Sequence, residues 1–151
     1  MDPGVLRLLI DRAQSQRDDA AGVAAGARRT RDTAAATLKT LTDYREESLG
    51  RAPVRAGHAV GVDQLRTAQQ FDGRLIDAIR QQFQSHARSQ ADADAGDAAL
   101  RETQRRLKAL ETLAQRRALA ADRVAARREQ LALDEYATNL AARRRPGKDR
   151  P

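Results

Sequence analysis

Residues 6–44 read LRLLIDRAQSQRDDAAGVAAGARRTRDTAAATLKTLTDY, and this stretch decides the fold. With Leu6 as position a of a heptad, the a sites are Leu6, Ala13, Ala20, Ala27, Ala34 and Leu41, and the d sites are Leu9, Gln16, Val23, Thr30, Thr37 and Tyr44. Nine of these twelve are apolar. A 3–4 spacing sustained over this length gives a helix with one narrow apolar seam, the signature of a coiled coil. A seam needs a partner, and the chain carries one. A second run begins at Leu65, with a sites Leu65, Asp72, Ile79, His86, Ala93, Leu100, Leu107 and Ala114 and d sites Ala68, Leu75, Gln82, Ser89, Gly96, Thr103 and Leu110. Polar residues interrupt it from Gln82 to Ser89. Beyond Ala114 the phase fails, because Arg117 and Arg128 fall on it, and Val124, Leu131, Leu133, Tyr136 and Leu140 mark a shifted stripe.

Composition agrees. Only Tyr44, Phe71, Phe83 and Tyr136 are aromatic among 151 residues, and much of the 40% apolar content is Ala. Burial stabilises by roughly 25 cal/mol per Å², so a globular core of this size needs more bulk. Ala, Arg, Gln and Leu are strong helix formers, and 32% charged residues fit long solvated helices. Low bulk and high charge also describe disordered chains, but the sustained heptads favour helices. There is no cysteine, which excludes disulfides and Cys-ligated metals. No apolar run approaches the roughly 18–20 residues that cross a bilayer. Val5 to Ile10, interrupted by Arg7, is too short for a signal peptide, so a cytosolic protein is expected.

Asp2 and Pro3 suit a helix start. Gly50 to Gly61 holds three glycines and Pro53 and reads as a loop between antiparallel helices. The expected architecture is all-α: an antiparallel two-helix coiled-coil hairpin over 1–151, with helices at about 5–49 and about 62–143, a loop at 50–61 and a frayed tail at 146–151. Arg143-Arg144-Arg145-Pro146-Gly147 closes the second helix with basic side chains at the dipole's negative end. At 1.5 Å per residue the arms are roughly 65–70 Å and roughly 120 Å. The second helix from about residue 107, with Leu107, Leu110, Leu113, Leu119 and Leu131, is therefore expected to overhang, fold back or bind another molecule. Gly22 and Gly26, four residues apart, are a candidate site of close helix approach.

Nothing in the pattern points to an enzyme. His58 and His86 have no ligand partners at metal-binding spacing, and a polar a residue such as His86 sets register. Glu46-Glu47 and Asp134-Glu135 lie on helices with no pocket to desolvate them. Gly57 to Gly61 lacks a phosphate-loop pattern. No cofactor, metal or small-molecule substrate is expected.

The net charge of +7 resides in the last third: residues 101–151 hold fourteen Lys/Arg against seven Asp/Glu, whereas the two preceding fifties balance. That end should attract an acidic protein, nucleic acid or anionic lipid. Arg105-Arg106, Arg116-Arg117, Arg127-Arg128 and Arg143 to Arg145 have the charge to neutralise phosphates. Against nucleic acid stand Glu102, Glu111, Asp122, Glu129, Asp134 and Glu135 within the run, and a single base-reading Asn, Asn139.

The other candidate site gathers bulky groups near the loop. Leu41 and Tyr44 close the first run, and Phe71, Leu75, Ala78 and Gln82 form a row shortly after the loop. A hairpin turning at residues 55–56 puts Leu41 near Gln70 and Tyr44 near Thr67. The row is either a hydrophobic plug or an aromatic docking patch, since aromatic anchors dominate interface energy. Phe71, beside Asp72 and just off the seam, is expected to be partly exposed.

These residues also carry a family resemblance. Leu6-x-x-Leu9-Ile10-x-Arg12, Ala20-Ala21, Leu41-x-x-Tyr44-Arg45-x-Glu47, Gln69-Gln70-Phe71-x-x-x-Leu75-x-x-Ala78-Ile79-x-x-Gln82 and Arg127-Arg128-Glu129-Gln130-x-x-x-Asp134-Glu135-Tyr136-Ala137 resemble, in order, the flagellar export protein FliJ family. The resemblance implies a cytosolic component of the flagellar type III export apparatus, peripheral to the inner membrane and similar to the central stalk of rotary ATPases. It implies three partners: the hexameric export ATPase, the cytosolic domain of the export gate FlhA, and export chaperones. The gate-docking patch carries over to Leu41, Tyr44, Phe71, Leu75, Ala78 and Gln82. The ATPase contact carries over to Arg127, Arg128, Gln130, Asp134, Glu135 and Tyr136. The chain departs from the family at Leu131, where a Lys often stands, and in its Ala-rich first helix. The rival readings are the stalk of a virulence secretion system, a basic nucleic-acid-binding coiled coil and a self-assembling scaffold.

Overall fold

Asp2 caps the first helix. Its carboxylate accepts the Gly4 N–H at 3.2 Å, and its carbonyl accepts the Leu6 N–H. Pro3, which has no N–H to satisfy, occupies the first helical position. The computed structural model describes residues 2–52, 57 and 59–144. Among them are two helices and no strand: α1, Pro3–Gly50, and the longer α2, Val62–Arg144. They pack against each other as an all-α helical hairpin. The readings placed on Pro53, on His58 and on Arg145 to Pro151 lie outside the described residues. In the connection, Gly57 has φ +72°, a left-handed conformation that costs a glycine nothing.

The structure divides into two compact units. In the larger, Arg12–Arg105, α1 lies on α2 along a narrow seam. The α2 side is the stripe read from the sequence: Asp72, Leu75, Ile79, Gln82, His86, Ser89, Ala93, Gly96, Leu100 and Thr103 are buried or half-buried. The α1 side keeps the expected a row but not the expected d row. Arg17, Ala24, Arg31, Leu38 and Arg45 turn inward, each one residue after an expected d position, while Val23 and Tyr44 stay 68% and 52% exposed. From a fixed a residue a helix can step three or four to stay on one face, and the two choices lie on opposite flanks of the a row. The small side chain of Ala24 decides between them. Ala24 and Ala93 are fully buried, and a Cβ placed on Gly96 would lie 3.2 Å from the Ala24 Cα. A valine turned into that contact would hold the backbones apart. Close approach therefore occurs at Gly96, and not at Gly22, where an added Cβ would meet no other side chain or facing backbone within 4 Å, or at Gly26, where it would meet only the tip of Arg29.

Several polar seam residues find partners where they lie. The Gln82 amide donates to the Ala34 carbonyl at 3.0 Å, and the Ser89 hydroxyl donates to the His86 carbonyl at 2.9 Å. Arg28 and Asp97 pair across the helices at 2.5 Å. These contacts leave few buried groups unpaired, as a thin seam requires.

In the second unit the first turns of α1 pack on α2 from Arg106 onward, with Leu6 and Leu107 buried. A largely apolar groove of about 430 Å³ runs between them, lined by Pro3, Leu6, Arg7 and Ile10 on α1 and by Ala114, Arg117, Ala118 and Ala121 on α2. Leu107 and Leu110 are thus seam residues and not part of an overhang. Every residue from Gln115 to Arg144 is exposed. The first turns of α2, through Phe71, are exposed as well.

Candidate partner-docking site

Near the connection, α1 supplies Tyr44 and Arg45, and α2 supplies Phe71 and Asp72. The two rings meet edge to face, with centroids 6.2 Å apart and planes at 80°. This geometry aligns a ring edge with a π face. One residue further along each helix, the Arg45 guanidinium grips the Asp72 carboxylate through two bonds, Nε to Oδ1 at 2.8 Å and Nη2 to Oδ2 at 3.1 Å. The fork geometry fixes both side chains and the helices that carry them. The hydrogen bond from Arg45, and secondarily its charge, hold the Asp72 carboxyl below its ordinary range despite partial desolvation. The same bond raises Arg45.

The expected pairing of Tyr44 with Thr67 is replaced by its contact with Phe71, about one helical turn further along α2. Arg45 likewise pairs with Asp72, in the same shifted register.

The six residues of the expected patch divide by exposure. Tyr44 and Phe71 present their rings to solvent, Phe71 being 41% exposed. Leu75 is buried in the seam, and Leu41, Ala78 and Gln82 are half-buried. Gln82 already spends its amide on the Ala34 carbonyl. These four lie in or beside the seam and do not share the exposed surface of the ring pair. Phe71 forms a ridge between two depressions. One, of about 340 Å³, includes Tyr44, Ser48, Leu49, Ala68 and Asp72, and the other, of about 510 Å³, includes Asp63, Gln64, Thr67 and Ala68. A ridge bordered by apolar hollows suits a partner segment laid across it.

Sequence reasoning missed the Arg45–Asp72 brace, although opposite charges one residue beyond Tyr44 and Phe71 were a usable signal. It also missed Ile76 and Phe83, 37% and 62% exposed. At about 100° per residue they lie on the flank of α2 away from Phe71.

The second expected set, Arg127, Arg128, Gln130, Asp134, Glu135 and Tyr136, lies wholly on the exposed part of α2. It does not form one patch. Helical periodicity puts Arg127, Gln130 and Asp134 on one face, Arg128 and Glu135 on a second, and Tyr136, 68% exposed, on a third. Among the described residues no cluster of His, Cys, Asp or Glu has the arrangement of a metal site, and no helix is long and apolar enough to cross a membrane.

Comparison with known proteins places this architecture. The family described as flagellar FliJ protein matches residues 3–146. The flagellar FliJ protein of Salmonella typhi is 31% identical over 141 residues, covering 93% of this chain and 96% of that protein. With near-complete coverage in both directions, the chain belongs to the flagellar FliJ family.

Proposed function

We propose that the protein is a non-enzymatic stalk that couples the hexameric export ATPase to the cytosolic domain of the export gate FlhA and assists export chaperones. Family membership makes it a component of the flagellar export apparatus. The stalk role is our reading. It places the protein in the cytoplasm, peripheral to the inner membrane, with no cofactor and no small-molecule substrate. The observation that carries it is the Tyr44–Phe71 ring pair, held at the protein surface by the Arg45–Asp72 brace. Exposed aromatic anchors on a rigid base supply binding energy at low entropic cost.

The gate contact is assigned to Tyr44 and Phe71, with Leu41, Leu75, Ala78 and Gln82 as support. Titration of the gate's cytosolic domain by calorimetry tests it. Phe71→Ala should weaken binding by about tenfold or more, the range of an interface hot spot, with unchanged helicity by circular dichroism. Unchanged affinity would make the ring pair a plug that closes the hairpin.

The ATPase contact is assigned to Arg127, Arg128, Gln130, Asp134, Glu135 and Tyr136. Their distribution around the helix suits enclosure by a ring better than docking from one side. Arg127→Glu with Arg128→Glu should weaken association with the ATPase, most strongly at low ionic strength, where screening is least. An effect absent at every salt concentration would remove these residues from the contact.

A further inference from the structure

The α1-facing seam of α2 ends at Ala114, and a second line of residues starts beside it. Leu113, Arg117, Ala120, Val124, Arg127 and Leu131 follow one another at alternating steps of four and three. At about 100° per residue they share one face, rotated by about 90° from Leu107, Leu110 and Ala114. All six are exposed, Val124 at 52% and Leu131 at 61%. Arg116 and Arg123 border the line on one side and Arg128 on the other. Glu111, Asp122 and Glu129 lie on nearly the opposite face. Charge on this part of α2 is therefore segregated around the helix, which the alternating sequence conceals.

We propose that this line is a docking seam for an acidic amphipathic helix of a partner protein. The partner would set apolar side chains against Leu113, Ala120, Val124 and Leu131 and carboxylates against the arginines, as flanking charges do in heptad pairing. Three observations select this occupant. A second copy of the chain would bring the same arginines face to face, a like-charge cost. A bilayer needs a broad apolar face, whereas this line is one residue wide and contains two arginines. Nucleic acid would engage the arginines but leave Leu113, Val124 and Leu131 uncovered. Asp134 takes the next position and reverses the charge, so the seam spans about five helical turns. The seam shares Arg127 and Arg128 with the residues assigned to the ATPase contact, but its apolar line of Leu113, Ala120, Val124 and Leu131 is argued without that assignment, and the peptide test contains no ATPase.

The test is fluorescence anisotropy of the full chain with two labelled synthetic helical peptides, each about three heptads long, with Leu at a and d. One carries Glu at e and g, and the other carries Lys. The Glu peptide should bind, and the Lys peptide should bind at least about tenfold more weakly. Val124→Gln with Leu131→Gln should weaken the Glu peptide by about tenfold while circular dichroism stays unchanged. Arg123→Glu with Arg127→Glu should reverse the preference between the peptides. The proposal is overturned by equal binding of both peptides, or by a Gln pair that binds as tightly as the parent, which would reduce the effect to charge alone. It is equally overturned by binding to phosphatidylglycerol vesicles in place of the peptide, or by self-association that the Gln pair abolishes.

Discussion

Arg45 reaches across the helix pair with two guanidinium nitrogens and thereby fixes Asp72 and, beside it, the Phe71 ring. The pair titrates through its acid member. Asp72 binds a proton less readily when folded than when unfolded, so its contribution is complete above the ordinary carboxylate pKa of about 3.9 and is lost as pH falls through the lower folded value. Arg45, raised from an already high value, stays charged throughout that window. Asp72→Asn should accordingly lower the urea midpoint at neutral pH, and the gap to the parent should close as pH falls below the carboxylate range. A gap independent of pH would mean that the effect comes from shape and not from charge. The same variant should weaken the edge-to-face contact of Tyr44 with Phe71, visible as sharper, more averaged ring resonances.

Along each helix, the smallest residues set the geometry. Gly96 faces the Ala24 backbone, so Gly96→Leu should destabilise by about 1–3 kcal/mol or more through overpacking. Gly22 faces open space on the same pair, and Gly22→Ala should stabilise by about 0.5–1 kcal/mol through helix propensity. Opposite signs for two helix-interior glycines, read from urea midpoints, check the close approach directly. The two seams differed in how legible they were. The α2 row from Asp72 to Ala114 could be read because Leu75, Ile79, Leu100 and Leu107 leave only one apolar line. The α1 row was ambiguous because Leu9 competes with Ile10 and Val23 with Ala24. Apolar bulk favoured Val23 over Ala24, whereas Leu9 and Ile10 have equal bulk, and the tight fit at Gly96 selected Ala24. The ring pair near the connection was legible in the sequence for the same reason that it stands out in the structure: the chain has few other rings. Its supporting residues were not separable from it, since heptad spacing does not say which side chain of a row is covered.

Across the whole molecule, stability comes from many small contacts. Alanine seams bury little area, and residues 115–144 all remain exposed. The heat-capacity change of unfolding should therefore fall below the roughly 12–15 cal/mol/K per residue of globular proteins, as scanning calorimetry can show. A value in the globular range would imply a larger buried core, such as one formed by association. The fit of Gly96 to the Ala24 backbone has a further consequence for how the sequence can drift. In a bulky core, a deletion mutant opens a void and neighbouring side chains relax into it. Here the least replaceable positions carry almost no side chain at all. A saturation scan should thus invert the familiar hierarchy, tolerating exchange at Val23 and Leu8 while rejecting nearly every addition at Ala24, Ala93 and Gly96.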